Sequence, residues 1–436
     1  MATAARRQPL QRLEPRAIPS IAINPSCFPP GLSHIYMMRI ERVSNWEDVA
    51  RLAPEWNRLA RGIPFLTWEW LGAWWRHYGA GGPEARASEL LVAAVYDATA
   101  PGASDELIAL APWYVERKAP RGAIVRFLGS GDVCSDYLTV LSAAGREPEV
   151  AAALAGWLIA LRKENAGGSP LAWDRLEFGG IADDDETMGR LLEQLSLRGA
   201  IVDRRQAEHC WRVELPNRWE EYLAGLSKSH RKQLRRFQRR LFASGRAVLR
   251  TAATEQEFRQ AFEILVDLHR RRRESLGDRG CFHSGRFTEF HREVAWQFFE
   301  RGLLRLSWLE LDSRPVACEY QLLGGNTVYA YQSGIDPAAL EEEPGRLATM
   351  ATLRAAIESG CGVYDLLRGD EAYKAHWRAR PYPCSDIRVL PGRGADWLRH
   401  GVWVARENLR SWVKAPWPWT SAVGSADTLA AVGADR

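Results

Sequence analysis

The segment Pro315–Leu322, PVACEYQL, holds a carboxylate inside an apolar strand pattern. Strand alternation predicts one face made of Val316, Cys318, Tyr320 and Leu322, and a second made of Ala317, Glu319 and Gln321. Glutamate is uncommon in such strands, and burial would raise its pKa. If the second face lines a cleft, Glu319 is suited to take a proton from an amine, directly or through a water. The alternative is a solvated sheet face.

A second candidate is the start of a predicted helix at Pro344, Gly345, Arg346 and Leu347. Backbone N–H groups around Gly345 would face solvent at the positive end of this helix, where a phosphate or pyrophosphate is favoured. Arg346 would add a charge-assisted contact. The same residues are also a common way to begin a helix, with no ligand involved.

A third candidate is the run DLLRGDEAYK, from Asp365 to Lys374. The pattern predicts that a strand ends before Asp370 and that Asp370 caps a short helix, on which Tyr373 and Trp377 share a face. Lys374 beside them is suited to meet an anion. Asp365 and Asp370 would lie at the carboxyl end of the strand, where open α/β sheets bind ligands. A capped helix with a surface lysine is the alternative.

The elements that must position these residues follow one order in each half of the chain. The first half predicts strands in ELLVAAVYD, ELIALAPWYVER and SDYLTVL, a helix from Glu147 to Lys163, and a strand in WDRLEFGG. The second half predicts strands in LLRLSWLELD, RPVACEYQLL and NTVYAYQSGIDP, a helix from Gly345 to Ser359, and the strand VYDLLRG. This order indicates two copies of one α/β unit.

The predicted organisation has four parts. Residues 1–36 are a disordered tail or a mis-assigned start, because patterned sequence begins only near Met37 and Met38. Residues 37–208 and 209–392 are the two units. Residues 393–436 hold an amphipathic helix and a tail, and this helix either docks on its own domain or makes peripheral contact with a membrane.

Composition excludes several classes of protein. The seven cysteines form no CxxC pair and no close His/Cys set, which favours a reducing, cytoplasmic compartment and predicts no metal. No apolar run approaches the roughly 20 residues of a membrane helix. Nucleophile-elbow, Walker and HExxH motifs are absent from the sequence.

The ordered series of motifs resembles the CelD/BcsL-type acetyltransferases, also described as BioF2-like. These belong to the Gcn5-related N-acetyltransferase (GNAT) superfamily and are similar to the FemAB aminoacyltransferases. The resemblance rests on the strand ending SGIDP at Pro337, on Pro344-Gly345, on the DLLRGDEAYK run and on Trp377. Upstream, PFLTWEWLGAWW, FLGSGDVCSDYL and a basic helix match the same family, so the resemblance covers roughly residues 46–388.

The resemblance implies an α/β fold of tandem GNAT-like (FemAB-like) domains, each a mixed, mostly antiparallel sheet flanked by helices. The second domain would hold the acyl donor, acetyl-CoA or another acyl-CoA, with Pro344–Leu347 standing where the superfamily binds pyrophosphate. The usual Q/R-x-x-G-x-G/A pattern is reduced here to one glycine, Gly345. The family's association with cellulose and exopolysaccharide implies a sugar or cell-envelope precursor as acceptor.

The predicted reaction is acyl transfer from a CoA thioester to an amine or hydroxyl of such a precursor, in the cytoplasm or at the inner face of the membrane. Gly345 and Arg346 would hold the phosphates and Glu319 would be the base. Tyr331 would assist the oxyanion or the leaving thiolate, and Asp370 with Lys374 would shape the acceptor side. The alternatives are FemAB-like aminoacyl transfer from tRNA and a non-catalytic partner of a polysaccharide-export machine.

One basic helix remains, Ser227–Leu241, SKSHRKQLRRFQRRL. Its narrow apolar stripe and its N-cap at Ser227 predict an amphipathic helix. It either borders the cleft as a solvated face or contacts an anionic acceptor or the CoA phosphates. Nucleic acid is the least favoured partner, because the net charge of the chain is only +4.

Overall fold

The computed structural model describes residues 21–22, 38–79, 87–97, 105–118, 122–163, 173–392, 394, 397 and 400–402. The strands are β1 (Ile21–Ala22), β2 (Met38–Val43), β3 (Ala87–Asp97), β4 (Glu106–Lys118), β5 (Gly122–Phe127), β6 (Leu141–Ser142), β7 (Arg175–Ala182), β8 (Ile201–Gln206), β9 (Cys210–Glu214), β10 (Ala247–Thr251), β11 (Leu304–Leu311), β12 (Arg314–Gly324), β13 (Thr327–Ile335), β14 (Val363–Arg368), β15 (Arg380–Tyr382) and β16 (Cys384–Leu390). The helices are α1 (Trp46–Ala50), α2 (Ala53–Leu59), α3 (Trp68–Trp74), α4 (Glu147–Lys163), α5 (Glu186–Leu197), α6 (Trp219–Gly225), α7 (Lys228–Phe237), α8 (Glu255–Ser275), α9 (Gly285–Glu300), α10 (Pro344–Glu358) and α11 (Tyr373–His376). The predicted C-terminal amphipathic helix lies almost wholly outside the described residues.

The strands form two mixed sheets. The described residues give a first sheet in the order β1-β2-β3-β4-β5-β7-β16-β8, with β6 on β4, and a second in the order β10-β11-β12-β13-β14-β9-β15. Both are mostly antiparallel, but β5 pairs with β7 in parallel, as β13 does with β14. In each case the parallel partner follows a crossover helix, α4 or α10. The predicted repeat of one α/β unit is therefore confirmed.

The third strand of the first unit is not where the sequence predicted it. Residues 122–127 form β5, whereas SDYLTVL forms a strand only at its last residue, Leu141. Cys134 and Tyr137 have left-handed φ angles of 44° and 61°, which an extended strand does not accept. This segment instead runs along the junction with the second unit, so its apolar residues are buried without a ladder.

The predicted assignment of residues 209–392 to one unit does not match the sheets at its C-terminal end. Strand β16 belongs to the first sheet, where it lies between β7 and β8. Ile387 and Val389 of β16 are buried, so their backbone N–H and C=O groups need hydrogen-bond partners. The position between two strands supplies partners on both sides. In chain order, the first strand of the second sheet is β9, which pairs with β14.

Aromatic side chains fill the junction between the two units. Trp70 on α3 is fully buried, and its ring meets Phe290 of α9 and Tyr331 of β13 edge-on at 5.2 and 5.3 Å between centroids. Its indole N–H donates to Ser135 Oγ at 2.8 Å, so the polar edge of the ring is satisfied. The backbones also touch here, since a Cβ at Gly324 would lie 1.8 Å from the Gly62 carbonyl oxygen.

A buried ion pair crosses the same junction. Asp136 is 3% exposed and accepts hydrogen bonds from Arg368 Nε at 2.8 Å and from the Arg368 backbone N–H at 3.2 Å. The Arg368 guanidinium also donates to the Ser135 carbonyl oxygen at 3.3 Å. The pair therefore fixes the end of β14 against the first unit.

Replacing Asp136 by alanine should destabilise the protein, because the Arg368 charge would stay in place without its partner. We expect a loss of about 3 kcal/mol in the free energy of unfolding, measured in urea. Asp132→Ala, in the exposed part of the same loop, is the control and should change little. Equal midpoints for the two variants would contradict this role of the ion pair.

Candidate active site

The second sheet splits between its two parallel strands. β13 and β14 pair only at Thr327↔Val363, Val328↔Tyr364 and Tyr329↔Asp365. β13 then continues through residues 330–335 beside β12 alone. At the split β13 also carries a bulge, because Tyr320 pairs with Gln332 while Gln321 pairs with Ala330. The extra residue, Tyr331, leaves a backbone group outside the ladder, as bulges next to active sites do.

Glu319 lies beside this split on the face covered by α10. It pairs across the sheet with Ser333, which is exposed although it lies inside a strand. Gln321, on the same face, donates to the hydroxyl of Tyr364 at 2.7 Å, and Tyr364 in turn contacts Thr352 of α10 at 3.0 Å. The alternation predicted from the sequence is therefore correct, and Glu319 lies beside the exposed Ser333 at the opening between β13 and β14, which is called the groove below.

The Glu319 carboxyl is 9% exposed, and burial raises its pKa to about 8. Among the described residues, no hydrogen bond or ion pair compensates this burial, since desolvation is the sole cause of the shift. A carboxyl with a pKa near neutrality can exchange a proton with an amine. The solvated sheet face considered from the sequence does not occur.

The start of α10 lies at the end of the same groove. Gly345 packs so closely on Ile335, the last residue of β13, that a Cβ there would lie 2.8 Å from the Ile335 side chain. Pro344 has no N–H, and Leu347 is buried with its N–H donating to the Glu343 carbonyl oxygen at 3.0 Å. Of the four residues predicted to contact phosphate, Gly345 and Arg346 keep a suitable position.

An acidic side chain already lies at this helix end. Glu343 precedes α10 with a left-handed φ of 55°, and both its carboxylate oxygens accept from Gln233 Nε2, at 3.1 and 3.0 Å. Arg346 forms an ion pair with the same carboxylate, and Arg236 lies 4.0 Å away. These three side chains lie around the Glu343 carboxylate at the N-terminus of α10.

The basic helix α7 borders this end of the groove. Ser227 accepts from the His230 N–H at 3.3 Å, so the predicted N-cap is confirmed. The His230 ring meets Trp377 edge-on at 5.0 Å between centroids, which holds α7 against α11. Leu234 and Phe237 are buried. The exposed side of α7 and of the turn after it carries Lys228, Lys232, Arg235, Arg236, Arg239 and Arg240.

On the opposite face of the sheet, the split is held by a network that the sequence did not reveal. Asp365 is fully buried and accepts from the Tyr137 hydroxyl at 2.5 Å, from Arg212 Nε at 3.1 Å and from the Leu367 N–H at 2.8 Å. Burial raises the pKa of Asp365, and Tyr137 and Arg212 oppose that rise. Leu367 is left-handed, with φ of 57°, so the backbone is strained beside the split.

This network forms one end of a cavity of about 420 Å³ between the units. Arg212 lies flat on the ring of Tyr382, 3.5 Å from its centroid, and both face the cavity with Tyr137. Asp184, which accepts a hydrogen bond from the Tyr382 hydroxyl, and Glu186 also line the cavity. The volume suits a small polar molecule. Asp365 was noted in the sequence for its place at the end of a strand, but no sequence signal joined it to Tyr137 or Arg212.

Asp370 and Lys374 do not have the positions predicted for them. Helix α11 follows Ala372 without a side-chain cap, and Asp370 instead accepts from Trp211 Nε1 at 3.0 Å and His209 Nδ1 at 2.9 Å. The Lys374 ammonium group is buried and donates to the carbonyl oxygens of residues 367, 368 and 369 at 2.9–3.1 Å. The same ammonium group also forms an ion pair with Glu371 at 2.9 Å, so these contacts within the chain close the strained end of β14.

Tyr331 lies on the face away from Glu319. Its hydroxyl donates to the Val133 carbonyl oxygen at 2.6 Å and lies 3.1 Å from His291 Nε2. The structure therefore does not bring the predicted oxyanion partner together with the predicted base.

Across the described parts of the chain, no group of three or more His, Cys, Asp or Glu could hold a metal ion. No helix among the described residues is both long enough and apolar enough to cross a membrane.

Part of the second unit matches a known protein family. Residues 228–375 match the family described as acetyltransferase (GNAT) domain. A search of curated proteins finds no match. This range runs from the first residue of α7 to α11, and so contains Glu319, the split and the start of α10.

Solved structures bear on the fold of most of the chain. FemX matches with a TM-score of 0.54 and 10% identity, over 79% of this chain and 98% of FemX. A conserved protein of unknown function from Bacteroides thetaiotaomicron matches at 0.48 and 10%, over 80% and 99%. A tandem GNAT protein from the clavulanic acid pathway matches at 0.39 and 12%, over 80% and 98%. Of these three, FemX alone is similar enough to support the fold. The chain shares the fold of FemX over 79% of its length, residues 228–375 match a GNAT acetyltransferase domain, and the protein is an acyltransferase.

Proposed function

We propose that the protein transfers an acetyl or longer acyl group from a CoA thioester to an amine or hydroxyl of a cell-envelope or exopolysaccharide precursor. The observation that carries this proposal is the split between β13 and β14, which has Glu319 beside it and the start of α10 at its end. A thioester arm fits an extended groove between diverging strands, with its phosphates at a helix N-terminus. The CelD/BcsL subtype is part of this proposal, and so is a cytoplasmic location, where acyl-CoA is found.

The proposed reaction assigns a task to each part of the groove. Gly345 and Arg346 bind the pyrophosphate, and the cations of α7 lie beside it for the remaining phosphate. Glu319 takes the proton that the acceptor nitrogen or oxygen loses, through a water in the groove. The amide at the Tyr331 bulge donates to the developing oxyanion. The cavity beside Asp365 receives the acceptor from the other face.

Thermal unfolding with a panel of acyl-CoAs tests this proposal directly. We expect acetyl-CoA or a longer acyl-CoA to raise the melting temperature by several degrees at saturation, about 2.7 kcal/mol at a hundredfold excess over Kd. Dephospho-CoA is the matched control for the contribution of the 3′-phosphate. A flat response across the whole panel would contradict CoA as the donor.

One observation favours a second candidate, aminoacyl transfer from tRNA. The exposed face of α7 carries cations along its whole length, beside the groove. Such a face would suit the phosphates of an RNA end, and its affinity would fall steeply with salt. Binding of charged tRNA together with a flat acyl-CoA response would select this candidate.

Glu319→Gln should lower the rate and remove its pH dependence. The base must be ionised, so kcat/KM of the wild type should rise with pH and level off above about 8, because burial raises the pKa of Glu319 to about 8. Glutamine cannot accept the proton, and we expect roughly a hundredfold loss. Glu358→Gln, on the exposed end of α10, is the control. A variant with the wild-type profile would exclude Glu319 as the base.

Glu343→Gln should tighten acyl-CoA binding. In the structure the Glu343 carboxylate accepts a hydrogen bond from Gln233 and forms an ion pair with Arg346. A pyrophosphate at the start of α10 must compete with this carboxylate for both side chains. Removing its charge should lower Kd by about tenfold, or 1.4 kcal/mol. Glu341→Gln makes the same charge change at an exposed neighbour and is the control. Equal or weaker binding by Glu343→Gln would place the phosphates elsewhere.

A further inference from the structure

A thiol and an imidazole meet on the face of β13 away from Glu319. Cys281 Sγ lies 3.4 Å from Nε2 of His269, which is a buried residue of α8. His269 Nδ1 lies 3.0 Å from the carbonyl oxygen of Ser333. A carbonyl only accepts, so Nδ1 carries the proton and Nε2 presents its lone pair to the thiol. This is the arrangement of a nucleophile and its base.

The backbone makes room for this contact. Gly280 has a left-handed φ of 67°, and a Cβ there would lie 2.9 Å from His269 Nε2 and 2.6 Å from Arg273 Cγ. Another residue at this position would therefore push the imidazole away from Cys281. The Cys281 sulfur also receives a weak hydrogen bond from Gln332 Nε2 at 3.6 Å.

The pair lies beside the split. Gln332 directly follows the bulge at Tyr331, in the part of β13 that has lost β14. Cys281 is half-buried, so part of this residue is open to solvent. Burial raises the pKa of the Tyr78 hydroxyl, with smaller contributions from Asp132 and Cys281, and this hydroxyl has no hydrogen-bond partner among the described residues. A free donor near the thiol is what a tetrahedral oxyanion requires.

The two groups are neutral in their resting state. Burial raises the pKa of Cys281 to about 11, with Arg273 opposing, and burial lowers the pKa of His269, with the Ser333 carbonyl opposing. The thiol is therefore not a resting thiolate. It becomes nucleophilic only as His269 takes its proton.

We propose that Cys281 accepts the acyl group from the donor thioester as a covalent S-acyl enzyme. The Cys281 sulfur bonds to the thioester carbonyl carbon while its proton passes to His269 Nε2. The bond from that carbon to the CoA sulfur then breaks, and the CoA thiolate leaves with the proton. One thioester is consumed and one is formed. The acceptor amine or hydroxyl subsequently attacks the enzyme thioester, its proton passes through a water in the split to Glu319, and the Cys281 thiolate is reprotonated from solvent.

This inference rests on the proposed function, because acyl-CoA is taken as the donor. Two probes separate the two claims. Acetyl-CoA tests the natural donor, whereas p-nitrophenyl acetate delivers an acetyl group without CoA. Each is mixed with the full-length protein near neutral pH in the absence of an acceptor.

With acetyl-CoA we expect the intact mass to increase by one acetyl group, removable with neutral hydroxylamine and located at Cys281 by peptide mapping. With p-nitrophenyl acetate we expect a burst of one p-nitrophenolate per chain. Cys281→Ala and Cys281→Ser should lose the thioester, and His269→Gln should slow its formation roughly a hundredfold. Cys361→Ala, a half-buried thiol at the far end of α10, is the control and should keep both signals.

The outcomes are distinct. A Cys281→Ala enzyme that transfers from acetyl-CoA at the wild-type rate would overturn the covalent step and leave the proposed function intact. A burst at Cys281 without labelling by acetyl-CoA would support the nucleophile and contradict the donor. Absence of both signals in a folded wild-type protein would overturn the inference.

Discussion

The buried carboxylate of Asp365 determines where the second sheet opens. Asp365 is opposite Tyr329 in the last residue pair between β13 and β14. One of its carboxylate oxygens accepts a hydrogen bond from the N–H of Leu367. That bond supports a left-handed residue in β14, two positions after the pairing with β13 ends. A non-glycine residue in this region costs on the order of 1–3 kcal/mol and persists only where its surroundings impose it. Without this constraint β14 could follow β13 to its end and close the groove.

The first unit supplies the partners that this constraint requires. A buried carboxylate is tolerated when charge and hydrogen bonds satisfy it, and Asp365 receives Tyr137 from the first unit and Arg212 from β9. Asp136 fixes the end of β14 by accepting a hydrogen bond from the Arg368 side chain. Lys374 donates a hydrogen bond to the Arg368 carbonyl oxygen at the same place. The junction thus gives the first unit a structural role, because its Tyr137 and Asp136 hold the residues at the split of the second unit in place.

Much of the fold could be predicted from sequence because it depends on local periodicity. The bounds of α4, the strands β11 to β14 and the N-cap of α7 followed from alternation, helical spacing and capping residues. Glu319 was also identifiable, because a carboxylate within an apolar strand is unusual wherever it occurs. The missed strand β5 and the position of β16 depended on sheet partners far away in the chain, which no local pattern encodes.

The candidate site was predicted less well for the same reason. Asp370 and Lys374 look like a cap and a surface cation in sequence, but tertiary contacts with Trp211 and with backbone carbonyl groups use both side chains. Tyr137 and Asp365 are 228 residues apart, and Cys281 and Gln332 are 51 apart. Pairs at such distances become visible only once the sheets are assembled.

Hydrogen exchange with and without acyl-CoA tests the central claim most directly, because it reports where the donor binds. The split and the start of α10 should form one binding surface. Bound acyl-CoA should therefore slow exchange at the amides of residues 330–335 and 345–347 together, and leave β2 and β3 unchanged. Binding that slows exchange elsewhere while both segments keep their rates would contradict the account.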